Sequence, residues 1–587
     1  MKIVSIYTGH NATIGYFEDG ECKLILHEEK FHNIKNFYGF PELALSYMSR
    51  QVKFSDIDYF SFGQKYLMMG QVPTQKEDYF ESKSRGSLRV FYDYLDYKTG
   101  LKDIFKSIRN HLLNKRINQK AWHELHAWFK DKHKVDKNKI ITYDHHFTHC
   151  VTPVYFYGLN EKIANHFLLL SMDGVGDNSF SKVCTYDASL QDFKIIASSS
   201  LISSIGLLYS EMTRFLGMKP HVHEYKVMGL AAYASNTKYY QHIYDRLSEL
   251  VWLNEDTLEF NSAINTNVAG FFFKKHFSFE RFDNLSAAIQ KLTEDLVVKW
   301  IRAAIKKTGI DVIAVSGGVF MNVKMNQKIL SLPEVKKIYF QPSCGDESIT
   351  IGAAGNTFID KGINLKPINT MFLGHAYSAD KVRTFLEKNG YFQKYHIEYF
   401  EDIETKIGLL LAEFKIVARF RGNGEWGARS LCNRGILGNP SDLRTFYDVN
   451  DMIKMRDFWM PFAPTILEEW AERYIKNWER IKKKAFDSMR FMIVTCDSTE
   501  LAQKHLRAAM HQKDKTLRPN IVSNDENPKL YRLLKSYEKV TGMGGILNTS
   551  LNLHGYPIVG TLEQAMFTLQ NSGLNYLALE DWLISKR

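Results

Sequence analysis

The feature that most constrains the fold is a set of glycine-containing turns beside apolar strands. “HFLLLSMDGVGD” places Asp173 directly after one apolar strand, and “DVIAVSGGVF” places Gly317 and Gly318 after another. A third segment, “GDESITIGAA”, places Asp346 in an acidic turn before a helix of small residues. Backbone amides at strand–glycine–helix junctions commonly hold nucleotide phosphates. The turns therefore indicate an α/β fold with a nucleotide site.

The length of 587 residues is too great for a single core, so two or more domains are expected. Short apolar strands alternate with amphipathic helices, which is typical of α/β proteins. Several acidic glycine turns in one α/β region are the pattern of actin-like ATPase folds, in which two similar halves close on a nucleotide. A boundary near “KGINLKPINTMFLG” predicts an actin-like domain at 1–365, with a helical basic insertion near 84–139, and a second α/β domain at 366–587.

Composition excludes several other classes of protein. A hydrophobic content of 45% and a charged content of 24% are ordinary for a globular chain. No apolar run approaches the roughly 18–20 residues of a membrane span, and the first residues predict a β-strand, not a signal peptide. Six scattered cysteines without a CxxC pair indicate neither disulfides nor a zinc knuckle. We therefore expect a reduced, cytoplasmic protein without a membrane partner.

The formal net charge is +11, and much of the excess lies in residues 83–139 and 473–484. A basic face with interleaved aromatic residues can follow a phosphate backbone, which would make nucleic acid a partner. The simpler interpretation is a solvated helix face, and the sequence favours it about two to one.

A group of three histidines, “YDHHFTHC”, indicates a metal site. If this segment is helical, His145 and His149 lie on one face, one turn apart, as in many metal sites. Two histidines do not complete such a site, and Asp173 and Asp346 are the available carboxylates. Mixed imidazole and carboxylate ligation favours iron, manganese or zinc over calcium or magnesium. The alternative is that the spacing arises by chance and that the histidines are hydrogen-bonded structural residues.

Many motifs along the chain resemble those of a known family. They include “HNATIGYFEDG”, “HHFTH”, “DGVGD”, “SIGLLYSEMTRFLG”, “EYKVMGLAAYA”, “SGGVFMN”, “GDESITIGAA”, “MPFAPTILEEW” and “ILNTSLNLHGYPIV”. In this order they resemble the carbamoyltransferases grouped with nodulation and antibiotic-tailoring enzymes. The resemblance implies an N-terminal domain similar to the actin-like proteins of threonylcarbamoyl-adenosine synthesis and a YrdC-like C-terminal domain.

The resemblance also implies the chemistry. Carbamoyl phosphate and ATP, with Mg²⁺, would form carbamoyl-adenylate in the C-terminal domain, with loss of phosphate and pyrophosphate. The carbamoyl group would then pass to an acceptor hydroxyl in the N-terminal domain, where the family uses a metal, usually Fe(II). Manganese and zinc remain alternatives here.

The same resemblance assigns roles to individual residues of the N-terminal domain. The metal ligands are His145, His149, Asp173 and Asp346, whereas His146 lies one step round the helix and is left out. His10 and Lys226 are assigned to catalysis. The residues assigned to cofactor binding are Gly174, Gly317, Gly318 and Asn322. The segment “HNAT” departs from the family pattern because Asn11 replaces an acid.

The C-terminal domain must bind many negative charges, so its site should be rich in lysine and arginine. Lys454 and Arg456, together with Ser550 and Asn552, match the KxR…SxN signature of YrdC-like domains, and “GEWGARSLCNRG” adds two arginines. We assign Arg429, Lys454 and Arg456 to catalysis, and Arg434, Ser550 and Asn552 to cofactor binding. Met460 and Tyr556 replace family residues, which leaves the details of carbamoyl phosphate binding open.

The acceptor is the least determined part of the prediction. The basic segments favour a hydroxymethylated pyrimidine base, in DNA, RNA or a nucleotide, and a small secondary metabolite or sugar is the alternative. A non-catalytic nucleotide-binding sensor belongs to another class, and the KxR and SxN motifs argue against it. A metallohydrolase would need the adjacent glutamate of HExxH, which is missing. A homodimer is compatible with the sequence, which does not determine the oligomeric state.

Overall fold

The computed structural model of the protein describes residues 1–73 and 102–587. Contacts divide the chain into two units. The N-terminal unit comprises Met1–Glu28 and Asn36–Asn369, and the C-terminal unit comprises Glu29–Lys35 and Thr370–Arg587. The break after Asn369 lies within the stretch 361–374, where the sequence predicts a boundary. No described helix combines the length and the apolar character that crossing a membrane requires.

The N-terminal unit contains two five-stranded sheets with the same topology. In each, an antiparallel meander of three strands is followed by two strands that run parallel to the first. The strands of the first sheet, in spatial order, are Glu21–His27, Thr13–Glu18, Lys2–Tyr7, Tyr59–Phe62 and Ile140–Thr142. The strands of the second sheet, in the same order, are Asp192–Ser200, Ser179–Asp187, His166–Gly176, Val312–Ser316 and Lys337–Phe340. The duplicated topology confirms the predicted actin-like arrangement of two similar halves.

The central strand of each sheet is apolar because it is covered on both faces. Ile3, Val4 and Ile6 are fully buried in the first sheet, and the run from Phe167 to Leu170 is buried in the second. Continuous apolar runs of this kind are typical of strands enclosed between layers of helices. The helices of this unit are Glu42–Gln51, Lys102–His133, His145–Tyr157, Ile205–Phe215, Glu224–Ala231, Gln241–Ser248, Gly270–His276, Phe282–Thr308, Val323–Ser331 and Ile349–Asp360; Glu28–His32 begins in it.

The predicted helical insertion is a helix from Lys102 to His133, and its predicted start, residues 84–101, lies outside the described residues. One face of this helix packs on the first sheet, where the Trp122 ring is 5.4 Å from Phe62 and the Phe129 ring is 5.3 Å from Phe60. Among the side chains described from residue 115 onward, the basic ones are exposed: Lys115, Arg116, Lys120, Lys130 and Lys132. This part of the helix therefore presents positive charge to solvent.

The C-terminal unit is built on an eight-stranded mixed sheet, and this confirms its predicted α/β class. Its strands in spatial order are His396–Tyr399, Trp582–Ser585, Tyr576–Leu579, Val417–Phe420, Arg434–Gly438, Gly545–Ser550, Ala463–Leu467 and Asn520–Val522. Its α-helices are Ala379–Lys388, Tyr391–Lys394, Ile403–Ala412, Leu443–Val449, Ala471–Tyr474, Trp478–Met489, Glu500–His505, Pro528–Thr541 and Leu562–Gln570.

The short segment 29–35 joins this unit although it lies near the start of the chain. The Lys30 ammonium donates a hydrogen bond to the backbone carbonyl of Glu425. The Gln564 side-chain amide donates in turn to the carbonyl of Lys30 at 2.8 Å. These contacts make the segment part of the C-terminal fold.

Two helices of the N-terminal unit approach each other closely at a glycine. An ideal Cβ on Gly352 would lie 2.1 Å from the carbonyl oxygen of Thr148, on the helix that carries the histidines. Backbone atoms cannot yield as a flexible side chain can, so this position requires glycine. The close approach brings the histidine helix beside the helix that follows Asp346.

We predict that Gly352→Ala destabilises the N-terminal unit by about 2 kcal/mol, within the range for overpacked cores. Gly355→Ala on the same helix is the matched control, because its Cβ would lie 3.2 Å from a Tyr155 side-chain atom. Alanine is more favourable than glycine in a helix by about 1 kcal/mol, and this difference offsets the tighter contact. Scanning calorimetry should show a lower melting temperature for the first variant only. Equal melting temperatures for both variants would contradict the packing argument.

Candidate functional site

Four side chains that the sequence analysis selected converge at one point in the N-terminal unit. One nitrogen or oxygen from each of His145, His149, Asp173 and Asp346 lies within 4.8 Å of the others. His149 Nε2 is 3.3 Å from Asp173 Oδ2 and 3.6 Å from Asp346 Oδ1, and His145 Nε2 is 3.5 Å from the same Asp346 oxygen. We refer to this group as the donor cluster.

The two histidines are positioned by the start of their helix. Asp144 is the N-cap, and its carboxylate accepts a hydrogen bond from the Phe147 amide at 2.8 Å. The Asp177 carboxylate accepts from the His145 amide, also at 2.8 Å. The first helical residue is therefore fixed, and the four-residue spacing places both imidazoles on the same face.

Each remaining group of the donor cluster is also held by a neighbour. The Ser316 hydroxyl lies 3.3 Å from His149 Nδ1, and the Gly318 amide donates to Asp173 Oδ2 at 2.9 Å. The Tyr7 hydroxyl donates to Asp346 Oδ2 at 2.7 Å. Such secondary contacts set the orientation of side chains that bind a metal.

The donor cluster fits a divalent transition metal. The buried Nε2 atoms of both histidines and Asp346 Oδ1 have no hydrogen-bond partner among the described residues, although buried polar atoms normally have one. Burial lowers the pKa of His149, but Asp173 and Asp346 outweigh this effect and raise the pKa to about 9. A divalent cation would replace a proton between these carboxylates. Imidazole and carboxylate together suit iron, manganese or zinc.

The third histidine of the motif, His146, lies outside the donor cluster. It is fully buried, with Nδ1 3.2 Å from the Ser171 hydroxyl and Nε2 3.0 Å from the Ser179 carbonyl. Both ring nitrogens therefore have partners in the second sheet. This contrast separates the structural histidine from the two that face the cluster.

A second group of residues lies beside the donor cluster, and the sequence analysis found only one of them. His10 interacts electrostatically with Asp173 and Glu224 and is hydrogen-bonded to the backbone of His221. Desolvation lowers the pKa of His10, and the two carboxylates partly offset this shift. Glu224 accepts hydrogen bonds from the His221 amide and the Ser210 hydroxyl, both at 2.6 Å.

His221 lies outside the quoted motifs, and Glu224, although it begins “EYKVMGLAAYA”, was given no role. The available signal was the histidine-rich turn “HVH”, which directly precedes the helix Glu224–Ala231. His221 has a φ of 62°, an uncommon conformation for a residue other than glycine. Lys226, which we predicted as catalytic, is half-buried on the same helix.

The predicted glycine positions adjoin the donor cluster. Gly317 has a φ of 100°, and a Cβ there would lie 2.2 Å from the Met172 carbonyl oxygen. The Gly174 amide donates a hydrogen bond to Asp173 Oδ1 at 2.5 Å, and the Gly318 amide donates to the other oxygen of the same carboxylate. Asn322 caps the helix Val323–Ser331. Cofactor binding by these four residues remains a prediction, and their observed contacts orient Asp173 and a helix start.

The C-terminal unit brings its predicted KxR and SxN residues together. Lys454 is buried, and its ammonium donates to the Ser550 carbonyl at 2.7 Å and to the Asn552 carbonyl at 3.0 Å. The Asn552 side-chain oxygen is another acceptor, and Ser550 Oγ lies 2.7 Å from that oxygen. The two motifs therefore form one hydrogen-bonded group.

Arg456 connects this group to two further arginines, Arg518 and Arg429. Arg456 lies among the positive charges that lower the pKa of Lys454, after burial itself. Its guanidinium also stacks over Phe462 at 5.5 Å. Arg518 is half-buried, and its enclosed position, together with Arg429 and Arg456, lowers its pKa well below the ordinary value. The neighbouring charges that lower the pKa of Lys454 and of Arg518 are positive, so the arrangement is suited to an anion.

Arg518 is a site residue that the sequence analysis missed. It lies between two short strands in “TLRPNIV”, and a lone cation in that apolar stretch was the only signal. Its buried Nε has no hydrogen-bond partner in the described part of the chain. An arginine whose Nε is available in this way, and which lies beside two other arginines, is a strong candidate for binding phosphate.

Arg434 has a different environment from the one we expected. Its guanidinium donates to the backbone carbonyls of Arg421, Asn433, His375 and Gly422 at 2.8–3.0 Å, and it stacks over Phe420 at 3.6 Å. These contacts tie the surrounding loops together. Contact between Arg434 and a cofactor remains a prediction.

Of the two departures from the family pattern, Met460 is buried, and the Tyr556 carbonyl accepts from the Asn552 amide at 2.5 Å.

The chain belongs to the carbamoyltransferase family. Residues 2–355 match the family model for the carbamoyltransferase N-terminus, and residues 409–586 match the model for the carbamoyltransferase C-terminus. Together the two matches cover most of the described chain. The protein is therefore a carbamoyltransferase, as the sequence motifs predicted.

Several proteins are similar over most or part of the chain. An uncharacterized protein of Methanocaldococcus jannaschii is 29% identical, over 90% of this chain and 87% of its own. Nodulation protein NolNO of Sinorhizobium fredii is 25% identical, over 98% of this chain and 79% of its own. The 3'-hydroxymethylcephem-O-carbamoyltransferase of Amycolatopsis lactamdurans is 28% identical, over 29% of this chain and 31% of its own.

Similarity to solved structures is weaker. Full-length HypF in its phosphate- and nucleotide-bound form aligns with a TM-score of 0.32 and 14% identity, over 61% of this chain and 56% of its own.

We predict that His149→Ala lowers the affinity for Fe(II) at least about 100-fold, because it removes one of four donors. Ser316→Ala should cost about tenfold, in the range for residues that only orient a ligand. His146→Gln is the matched control and should keep the metal, because His146 faces away from the cluster. Anaerobic reconstitution followed by metal analysis measures all three. Full metal content in the His149 variant would exclude His149 as a ligand.

Proposed function

We propose that this carbamoyltransferase is an ATP-dependent O-carbamoyltransferase that works in two steps, one in each unit. The observation that carries the proposal is the group of cations beside Lys454, in which Arg456 acts on Lys454 and, with Arg429, on Arg518. A site of this kind is suited to a reaction between two phosphate compounds. Carbamoyl phosphate and Mg²⁺-bound ATP are the compounds that the family implies.

The first step would take place in the C-terminal unit. Water releases phosphate from carbamoyl phosphate and leaves carbamate, whose oxygen attacks the α-phosphorus of ATP. Pyrophosphate departs and carbamoyl-adenylate is formed. Arg456 and Arg518 would bind the phosphate groups, and Arg429 lies among the same cations. Lys454, which is hydrogen-bonded to Ser550 and Asn552, would place a further positive charge beside the negative charge that develops on the phosphate groups. The similarity of the KxR and SxN motifs to YrdC-like domains supports this assignment.

The second step would take place at the donor cluster of the N-terminal unit. The acceptor oxygen bonds to the carbamoyl carbon, the bond from that carbon to the adenylate oxygen breaks, and AMP departs. His10 would take the proton of the acceptor hydroxyl, and Asp173 and Glu224 would stabilise the resulting imidazolium. A divalent metal held by the donor cluster, Fe(II) in our proposal, contributes Lewis-acid polarisation of the carbamoyl group.

For the acceptor we propose a hydroxymethyl group on a heterocycle, specifically a hydroxymethylated pyrimidine in a nucleotide or nucleic acid. The name of one group of relatives, the 3'-hydroxymethylcephem-O-carbamoyltransferases, specifies a hydroxymethyl acceptor on a small ring system. The exposed basic side chains of the insertion helix support an acceptor that carries phosphate. A small metabolite or sugar is the alternative, and the cephem in the name of the same relatives supports a small metabolite.

We predict that Arg518→Ala abolishes carbamoyl-phosphate-dependent release of pyrophosphate from ATP, because it removes one cation from the phosphate site. Removal of a single preorganised donor typically costs about 100- to 1000-fold in rate. Arg444→Ala is the matched control, because Arg444 is in the same unit but exposed and paired with Asp442. His149→Ala should keep the pyrophosphate release and lose carbamoyl transfer. Loss of both activities in both site variants would contradict two separate steps.

Mass spectrometry of candidate acceptors tests the transfer itself. We expect incubation with carbamoyl phosphate, ATP and Fe(II) to add one carbamoyl mass to a hydroxymethylated pyrimidine nucleotide or to an oligonucleotide containing that base. Addition only to a sugar or to a cephem would establish the alternative acceptor.

A further inference from the structure

The carboxylate of Glu425 has no role in the chemistry described so far. It lies in the C-terminal unit, in the segment “GEWGARSLCNRG”, from which the sequence analysis selected two arginines. The side chain is fully buried. Burial of a carboxylate is costly unless hydrogen bonds replace those that water provided. We call residues 429–434 of the same segment the arginine loop, and this loop supplies those hydrogen bonds.

Three backbone amides of the arginine loop converge on one oxygen of Glu425. The donors to Oε1 are the amides of Leu431, Asn433 and Arg434, at 2.8, 2.8 and 3.1 Å. Among them, Cys432 has a φ of 74°, in the left-handed region that residues other than glycine seldom adopt. Successive amides around such a residue form a concave site for an anion. The chain's own carboxylate therefore occupies the concave side of the loop.

The arginine loop is also fixed to the strand that carries the SxN motif. The Ser430 carbonyl accepts a hydrogen bond from the Asn548 side-chain amide at 2.8 Å, and Asn548 precedes Ser550 by two residues on one strand. At the end of the loop, the Arg434 carbonyl accepts from the Leu551 amide, also at 2.8 Å. The loop therefore lies directly beside the SxN motif.

A second set of contacts brings the arginine loop close to Arg518. Cys432 Sγ lies 3.1 Å from Thr465 Oγ1, and the Asn520 side-chain amide donates to the same oxygen at 3.2 Å. Asn520 follows Arg518 by two residues. Burial lowers the pKa of Arg518, and the charge of Arg429 lowers it further. The loop therefore places Arg429 beside Arg518.

We propose that Glu425 is a positioning residue that holds Arg429 at the phosphate site of the C-terminal unit. The proposal rests on the proposed function and adds a residue to its first step. Because the carboxylate fixes three amides of the arginine loop, Arg429 meets the phosphate groups without an ordering cost. Glu425 is fully buried, so it acts on these groups only through the loop.

Isothermal titration calorimetry of the full-length protein with inorganic pyrophosphate, without ATP, tests the proposal. Arg429→Ala should weaken pyrophosphate binding about tenfold or more, the effect of losing a hydrogen bond between charged groups. Glu425→Gln should weaken it about tenfold, because a neutral side chain holds the three amides less strongly than a carboxylate does. Glu538→Gln is the matched control. It neutralises a carboxylate of the same unit that accepts from Trp470 at 2.6 Å, and it should leave the affinity unchanged.

The double variant Glu425→Gln/Arg429→Ala separates a positioning role from a general structural role. If Glu425 acts through Arg429, the double variant should bind pyrophosphate within about twofold of Arg429→Ala, because no guanidinium is left to misplace. Independent effects would multiply to about 100-fold or more, and this result would overturn the proposal.

A further variant and a second measurement guard against a folding defect. Glu425→Asp keeps the charge but is one methylene shorter, so it should also weaken pyrophosphate binding, and it can replace Glu425→Gln in the double variant. Hydrogen exchange followed by mass spectrometry should show faster exchange in residues 429–434 of either variant. The strand Gly545–Ser550 should exchange as in the wild-type protein. Unchanged exchange in the arginine loop, or wild-type affinity in both variants, would contradict the positioning role.

Failure of this proposal can be distinguished from failure of the proposed function. If pyrophosphate does not bind to the wild-type protein, or binds equally well to Arg429→Ala, the positioning role is wrong. If the wild-type protein binds pyrophosphate but does not release it from ATP in the presence of carbamoyl phosphate, the two-step mechanism is refuted. The positioning of Arg429 by Glu425 would then still stand on the binding data.

Discussion

The ion pair between Asp144 and Lys182 is the interaction on which the donor cluster depends. The two groups are 2.6 Å apart and largely enclosed, and the same carboxylate caps the helix that carries His145 and His149. Lys182 belongs to the strand Ser179–Asp187 of the second sheet, so the helix start is fixed to that sheet. Loss of Asp144 would leave a buried lysine unpaired and the first helical turn uncapped. The positions of both imidazoles therefore depend on this contact, together with the hydrogen bond from the His145 amide to Asp177.

The sites of the two units are suited to ligands of opposite charge. In the N-terminal unit, Asp173 and Asp346 attract positive charge to a point with two imidazoles. In the C-terminal unit, positive charges lower the pKa of both Lys454 and Arg518, and Arg456 acts on each of them. Each arrangement is unfavourable by itself because like charges lie close together in a partly desolvated site. A cation relieves the first and phosphate groups relieve the second, so ligand binding supplies stability that the fold lacks.

Local geometry explains which features could be predicted from the sequence. The positions of His145 and His149 follow from a four-residue spacing, and alternating strands and helices gave the α/β class. Arg518 could not be predicted, because sequence does not show which cation loses solvent in the folded chain. Arg434 illustrates the converse, since its glycine-rich motif resembles a phosphate site although its guanidinium donates to four backbone carbonyls.

The segment 29–35 has a consequence for how this enzyme can be divided. The C-terminal unit is not one continuous stretch of polypeptide, because Lys30 contributes a donor and an acceptor to it from the beginning of the chain. A gene fragment that starts at Thr370 would encode all eight strands of the large sheet and still lack these contacts. Halves prepared by protease cleavage after Asn369 would likewise be unequal, since the first would retain a peptide that the fold of the second requires. Breaking a single peptide bond of this enzyme therefore cannot release both units intact.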